Sequence, residues 1–500
     1  MFKMLRNISS FKLQETSMIN PRIQLLENRT IERVIDEAYS LLEDPGVMFD
    51  TEAPLRVLAQ AGAKVDFNAQ IARIPASLVD QARKTPPSTI VLFDLNGQPR
   101  LTLGGDNFYF YPTSTALKVW DYDTNRLRPA ATSDMVKFVK VAEGLAYCDA
   151  LSSTFFCKDV PSEVADSYRI YLLLKYATKP FVTGAFSVEG QQVEFDLLSA
   201  FCGGSQALAD KPLAVMTACP SPVLKWSHTA EFVMMCAEAM VPIGIGPMPL
   251  VGGNGPATLI GSLVQHTAEA LSGVVLSQVS RPGAPILWTS PTGVFDMRTF
   301  NSLLGVMETH LISCAANEVG KYLNFPTFNY LGVSDSKTVD EQFTLETTQG
   351  IMMAALTRSN LNGSLGMLNF ESAQSFEGLV ISNEAAGIAR RLVRGIDDSM
   401  ENFGSDIIRS VGFSGDFLAT EHTRNWFRKE FHFTDLLDHQ VEQSWINTGA
   451  KGMLERAHDK VLKLEASYQP HTLPVGLDGE LDAIMLRAMS KWGMEKLPPH

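Results

Sequence analysis

Eight short runs with β-strand character recur through the middle of the chain: Asn107–Tyr111, Leu151–Phe156, Pro180–Gly184, Leu213–Ala218, Pro242–Gly246, Pro285–Trp288, Pro326–Tyr330 and Leu365–Asn369. Their starts lie roughly 30 to 45 residues apart, the length of one strand plus one helix. Helical periodicity fills the intervals, as in Ser133–Leu145, Ser162–Tyr176, Ser227–Met240, Thr299–Tyr322 and Asp340–Ser359. The unit from Pro242 to Ser290 reads most clearly. Its apolar run breaks into Val251–Gly252–Gly253–Asn254–Gly255, Pro256 stands where a first helical residue belongs, and Leu259, Leu263, His266, Ala270 and Val274 mark one buried helix face. Eight such units in succession predict an α/β fold closed as a (β/α)8 TIM barrel. No strand is followed by GxGxxG with a downstream acid, and no Walker sequence occurs, so an open nucleotide-binding sheet is disfavoured.

The flanks differ from this rhythm. Residues 1–95 read as an N-terminal helical extension, residues 96–395 as the barrel, and residues 396–500 as a more charged C-terminal helical extension. That last segment packs either on the barrel or on a second copy of the chain, so a homo-oligomer is one of two readings. A chain of 500 residues with 45% hydrophobic content can bury a large core. Its net charge of −13 disfavours nucleic acid and anionic membranes as partners. No run of about 20 uncharged apolar residues is present, which argues against a membrane span. The start, MFKMLRNISSFKLQETSMINPR, lacks a continuous apolar stretch and a cleavage site, so a cytoplasmic protein is expected. Six scattered cysteines without a CxxC pair read as reduced thiols.

In such a barrel the chemistry gathers at the carboxyl ends of the strands. Position alone nominates Tyr111 and Thr113, Phe156, Thr183, Cys219, Met248, Trp288 and Ser290, Asn329 and Tyr330, and Asn369 and Glu371. The rim is rich in aromatic residues, Phe295 among them, and carries the polar loop YLGVSDSKTVD with Asp335 and Asp340. Aromatic faces with a carboxylate hold a cation that cannot donate hydrogen bonds. Trp288, Tyr111, Phe156, Phe295, Tyr330, Asp335, Asn369 and Glu371 are therefore the candidate substrate-binding residues, although wall packing is the commoner reason for aromatics in such places. Asp335 and Asp340 also suit helix capping. The loop Gly252, Gly253, Asn254, Gly255 reads either as a tight turn or as free N–H groups facing an anion or cofactor. His266, on an apolar helix face, reads as a core histidine. His228 and His310 lack partners at metal spacing, and no GxSxG is present, so zinc and hydrolase chemistry have no motif behind them.

Several separated blocks, among them PTSTALKVWDYDTNRLRPAATSDM, GGNGPATLIGSLVQHTAEALSGVVLSQVSRPGAP, YLGVSDSKTVDEQ, SFEGLVISNEAAGIARRL and FLATEHTRNWFRKEF, resemble the trimethylamine methyltransferase family. The resemblance implies an enzyme that passes a methyl group to the Co(I) corrinoid (cobalamin) of a separate carrier protein. Trimethylamine members of that family carry a pyrrolysine in the barrel, and none is written here. The chain therefore looks like the branch that includes glycine betaine methyltransferase, with a small quaternary amine as substrate. Carnitine, proline betaine, γ-butyrobetaine and sulfonium donors fit the same reading, and a non-catalytic binding module is the alternative. The DxHxxG pattern of corrinoid carriers is absent, since Asp438–His439 is followed by Gln440 and Val441. No tightly bound cofactor is expected, and the resemblance assigns no catalytic residue.

Overall fold

The computed structural model describes residues 20–113, 115–399, 402–413 and 415–499. The first 19 residues, on which most of the targeting argument rests, lie outside them. Eight parallel strands form the centre: β1 (Tyr109–Pro112), β2 (Leu151–Ser152), β3 (Phe181–Val182), β4 (Ala214–Ala218), β5 (Ile243–Ile245), β6 (Ile286–Ser290), β7 (Thr327–Asn329) and β8 (Leu361–Leu365). Each is followed by a helix: α1 (Thr132–Glu143), α2 (Ala165–Tyr176), α3 (Val188–Cys202), α4 (Thr229–Ala239), α5 (Leu259–Ser280), α6 (Met307–Tyr322), α7 (Glu341–Leu356) and α8 (Phe376–Arg394). Hydrogen-bonded ladders run from β2 in order round to β8 and on to β1. The remaining seam is bridged by Asp149, whose N–H donates to the Phe110 carbonyl while its carboxylate accepts from the Phe110 N–H, both at 2.8 Å. The architecture is the barrel expected from the rhythm of the sequence.

Proline explains where several strands begin. Pro180, Pro242, Pro285 and Pro326 immediately precede β3, β5, β6 and β7, positions where a missing N–H costs nothing. Their carbonyls start the ladders, accepting from Leu151, Met216, Ile243 and Trp288. Side chains alternate along each strand. Val182, Val215, Leu287, Phe328 and Leu361 fill the barrel, whereas Phe181, Met216, Ile245 and Trp288 join the outer core under the helices. Two glycines make the interior fit. A Cβ on Gly244 would lie 2.9 Å from the Phe328 ring, and one on Gly363 would lie 2.8 Å from the Tyr111 hydroxyl.

The N-terminal segment contains the helices Asn28–Glu43, Glu52–Gln60 and Ala76–Ala82, and it also contributes strands. Val47–Phe49, Lys64–Asp66 and Ile71–Arg73 form a small sheet with Lys225–Trp226. A hairpin, Ile90–Phe93 paired with Pro99–Leu103, spans the position where extension and barrel were divided in the sequence. Its Ile90, Leu92, Leu101 and Leu103 cluster with the interior side chains and plug the amino-terminal end of the barrel.

The eighth strand differs from expectation. It is Leu361–Leu365, four residues before the apolar run Leu365–Asn369. Polar Asn362 and Ser364 hide its β pattern, but both are buried, and Asn362 Nδ2 donates to the Tyr109 carbonyl at 3.0 Å. Gly366, at φ +82°, ends it. Helix α5 begins at Leu259 with Thr258 as its cap, so Pro256 belongs to the preceding loop. By length and composition α5 is apolar enough to span a membrane, yet 78% of its most apolar window is buried inside the fold. After α8 the chain runs through short helices before Met453–Ser467 and Leu477–Ser490 return to pack on the barrel helices.

Candidate active site

One carboxyl group organises the mouth of the barrel. Glu371 lies six residues beyond β8, at the end of three consecutive non-glycine residues with left-handed backbone: Asn369 (φ 54°), Phe370 (φ 55°) and Glu371 (φ 66°). Such a conformation costs roughly 1–2 kcal/mol per residue, because Cβ crowds the next carbonyl. Several contacts hold it. The Asn369 N–H donates to the Ser336 carbonyl at 2.7 Å, and its Nδ2 donates to Ser372 Oγ at 2.6 Å. The Leu117 and Lys118 N–H groups both donate to the Ser372 carbonyl. The Lys337 ammonium sits 4.0 Å from the centre of the Phe370 ring. Persistent strain of this kind is characteristic of functional sites.

The turn presents Glu371 to residues from three different strands. Its charge acts on Tyr111 of β1, on Cys219 just past β4 and on Tyr330 just past β7. Strands one and four lie well apart around the ring, so a group that senses both stands near the barrel axis. The Tyr111 and Tyr330 side chains act on one another electrostatically. The Phe328 ring lies 5.7 Å from Tyr111 and 5.1 Å from Tyr330. Cys219 is exposed and Glu371 and Tyr330 keep part of their surface, although desolvation raises all three. Burial pushes the Cys219 thiol up to about 12, so it is a neutral thiol at ordinary pH.

Burial alone raises the Glu371 carboxyl from its ordinary value to about 7. No cation or donor among the described residues offsets that desolvation. The site thus holds an acid half-ionised near neutral pH, flanked by two tyrosines.

A second aromatic group lies on the rim at β2 and β3. Buried Arg169 of α2 donates to the Thr115 hydroxyl (2.6 Å), the Ser153 carbonyl (2.8 Å) and the Gly184 carbonyl (3.1 Å), tying together the loops after β1, β2 and β3. Phe186 lies over its guanidinium at 4.7 Å and beside Phe156 at 5.8 Å.

With this geometry in place, comparison with known proteins decides the family. The profile of the trimethylamine methyltransferase (MTTB) family matches residues 6–493. The chain belongs to that family. Trimethylamine methyltransferase MttB of Desulfitobacterium hafniense (strain DSM 10664 / DCB-2) is 27% identical over 457 residues, covering 91% of this chain and 92% of the relative. Glycine betaine methyltransferase of Desulfitobacterium hafniense (strain Y51) is 27% identical over 481 residues, covering 95% and 99%. Among solved structures, the monomethylamine methyltransferase MtmB of Methanosarcina barkeri superposes with a TM-score of 0.50 at 12% identity, covering 95% of this chain and 89% of that one. It supports the fold alone. The protein is a methyltransferase of this family.

Of the residues nominated from sequence, Tyr111, Cys219, Tyr330 and Glu371 come together, and Phe156 joins Phe186 at the rim. Several others have structural roles. Trp288 is 1% exposed and turned out of the barrel, its Nε1 donating to the Ala316 carbonyl of α6 at 2.9 Å and its ring stacked on Phe325. It falls on the odd side of the strand alternation and is an outer-core residue. Asp335 accepts from the Leu304 and Gly305 N–H groups at 3.0–3.1 Å, which commits its carboxylate to holding a rim loop. Asp340 caps α7 through the Phe343 N–H. The Asn369 side chain is spent on its own turn, and Phe295 packs on Gly253 and Phe300.

The Gly252–Gly255 loop is a closed turn. Its Gly252, Gly253 and Gly255 N–H groups bond to carbonyls of the loop itself and of its neighbours Leu250 and Pro256, and Asn254 Oδ1 accepts from Leu250 N–H, so the expected cradle of free donors is not formed. His266 is a core histidine bonded to the Thr289 carbonyl at 2.9 Å and lowered by burial to about 4. Arg169 and Phe186 were not legible as site residues. The only sequence signal was the aromatic placed four residues past β3.

Proposed function

We propose that the protein transfers a methyl group from a small quaternary amine, with glycine betaine the first candidate, to a corrinoid presented by a separate carrier protein. The observation that carries this reading is the unpartnered Glu371 carboxyl beside the Tyr111 and Tyr330 rings. A trimethylammonium group supplies the missing positive charge, and aromatic faces accept its methyl groups without requiring hydrogen bonds. The D. hafniense relative named for glycine betaine supports this substrate class.

Such a substrate needs no general acid. The scissile C–N bond breaks with its electron pair moving to nitrogen, which leaves as a neutral tertiary amine. The corrinoid supplies the methyl acceptor when its carrier docks. The mouth suits a macrocycle: Cys219 keeps accessible surface there, and the rim hairpin Gly293–Asp296/Asn301–Leu303 leaves Met297 and Phe300 exposed as apolar contacts for it. Glu371 binds and orients the cation. Because the ammonium charge fades as the bond breaks, the carboxylate stabilises the bound substrate at least as much as the transition state. Its loss therefore raises KM more than it lowers kcat.

The test is to incubate the pure protein with reduced carrier and a panel of methylated amines, following the corrinoid absorbance. Methyl transfer from quaternary amines, abolished at low substrate by Glu371→Gln and restored at high substrate, is the expected result. Transfer from tertiary amines only would overturn the substrate class, and binding without transfer would overturn the enzymatic reading.

A further inference from the structure

Open space at the mouth is not shared evenly round the ring. Side chains two residues apart on a strand face the same way. The barrel-filling Val182, Val215 and Phe328 therefore put Gly184, Thr217 and Tyr330 next above them on the inner face. Glycine contacts agree: a Cβ on Gly184 would stand 2.6 Å from Thr217 Oγ1, and one on Gly246 would stand 3.4 Å from Thr289 Cγ2 and 3.5 Å from Cys219 Sγ. On the β1 side the wall is closed, with Tyr111 1% and Thr113 0% exposed. On the β3–β4 side it is open, since Gly184 and Thr217 are half-buried and Cys219 is exposed. Bulk follows the same division. Aromatic rings stand on β1 and β7, whereas glycine, threonine and cysteine stand on β3, β4 and β5.

We propose that the fourth substituent on the substrate nitrogen lies along the β3–β4 side of the mouth, over Gly184 and Thr217, and that Cys219 sets how bulky this substituent can be. The proposal rests on the quaternary-amine reading above. A tetrahedral ammonium held beside Glu371 has to turn one methyl group outward, toward the acceptor, for in-line displacement. Its two other methyl groups fit against the aromatic faces of Tyr111 and Tyr330. That leaves a sideways direction for the remaining substituent, and β3–β4 is the side with room. The charge of Glu371 acts on Cys219, so the thiol borders the space next to the bound ammonium. This wall is uncharged: the thiol is neutral at ordinary pH, and the Thr217 hydroxyl donates to the Thr183 carbonyl at 3.1 Å. It selects by shape and volume. The substrates that suit it carry an uncharged CH2 next to nitrogen, with any carboxylate further out.

The experiment is calorimetric binding of tetramethylammonium, choline, glycine betaine and γ-butyrobetaine to the wild type and to Cys219→Leu, with neither carrier nor turnover. Melting curves check folding. Tetramethylammonium has only methyl groups, so the readout is the affinity of each other ligand relative to it. That ratio is expected to fall by about tenfold or more in Cys219→Leu, most for γ-butyrobetaine, which is what misplaced methylenes cost in a fitted pocket. An equal loss for every ligand, or an unchanged ratio in the folded variant, would overturn the proposal and leave the quaternary-amine reading standing. A wild type that binds none of them would overturn both. Should Cys219→Leu misfold, alkylation of wild-type Cys219 by N-ethylmaleimide, read by peptide mass spectrometry, decides. At equal occupancy γ-butyrobetaine slows that reaction more than tetramethylammonium does if its chain covers the thiol. Equal protection by the two, or none, would overturn the placement.

Discussion

At the scale of the single residue, side-chain parity decides who takes part in chemistry. Leu287 and Trp288 are neighbours on β6, yet one fills the barrel and the other anchors the strand to α6. Trp288→Ala removes a buried indole and its hydrogen bond, with an expected loss of about 3–5 kcal/mol measured by denaturant unfolding. Substrate affinity of the folded fraction stays unchanged; a large affinity loss at full stability would contradict the outward placement. Glu371 behaves in the opposite way. Its carboxyl sits near 7 because burial disfavours the charge. A cationic ligand favours the ionised form, so it lowers that value and releases a proton on binding below neutrality. Affinity for a quaternary amine is therefore flat above about pH 7 and weakens by up to about tenfold per pH unit below it. Calorimetric titrations across pH 5.5–8.5 in buffers of different ionisation heat measure both effects, and Glu371→Gln abolishes both. Counting residues from strand ends was enough to nominate Tyr111, Tyr330 and Glu371. It could not separate them from Trp288, because the exact register sets which face each side chain occupies and a one-residue shift reverses it.

At the scale of the element, strands were legible where proline and apolar runs marked them and obscured where polar residues were buried. β8 buries Asn362 and Ser364, whose amide N–H groups and hydroxyl donate to backbone carbonyls, so a hydrophobicity pattern passes over it. The left-handed turn Asn369–Glu371 was equally invisible, since no glycine announces it. Asparagine is the residue best suited to that backbone after glycine. Asn369→Ala loses both this tolerance and the bond to Ser372 Oγ, for an expected 1–2 kcal/mol of stability (roughly). It also raises the substrate KM by displacing Glu371, and wild-type kinetics in a destabilised Asn369→Ala protein would detach the turn from the site. The seam between β1 and β2 rests on Asp149, whose carboxylate serves the Phe110 N–H and the Arg390 guanidinium together. Asp149→Ala leaves a half-buried arginine and an amide unpaired, with an expected cost of about 3–5 kcal/mol in unfolding free energy.

At the scale of the whole molecule, the repeat length of the chain announced the barrel, while the flanks were harder to read. Their short strands pair with partners distant in sequence, as Val47–Phe49 does with Lys225–Trp226 and as the Ile90–Leu103 hairpin does with the barrel floor. Local patterning carries no information about such contacts. The hairpin floor has a kinetic corollary. A barrel stoppered at one end is a cul-de-sac: whatever enters by the mouth must leave by it. On the proposed reaction, a macromolecular acceptor seated over that opening would imprison the amine beneath it until it departs. Turnover is then compulsory-order, with the small reactant first in and last out, and a surplus of acceptor slows the enzyme by arriving before its cargo.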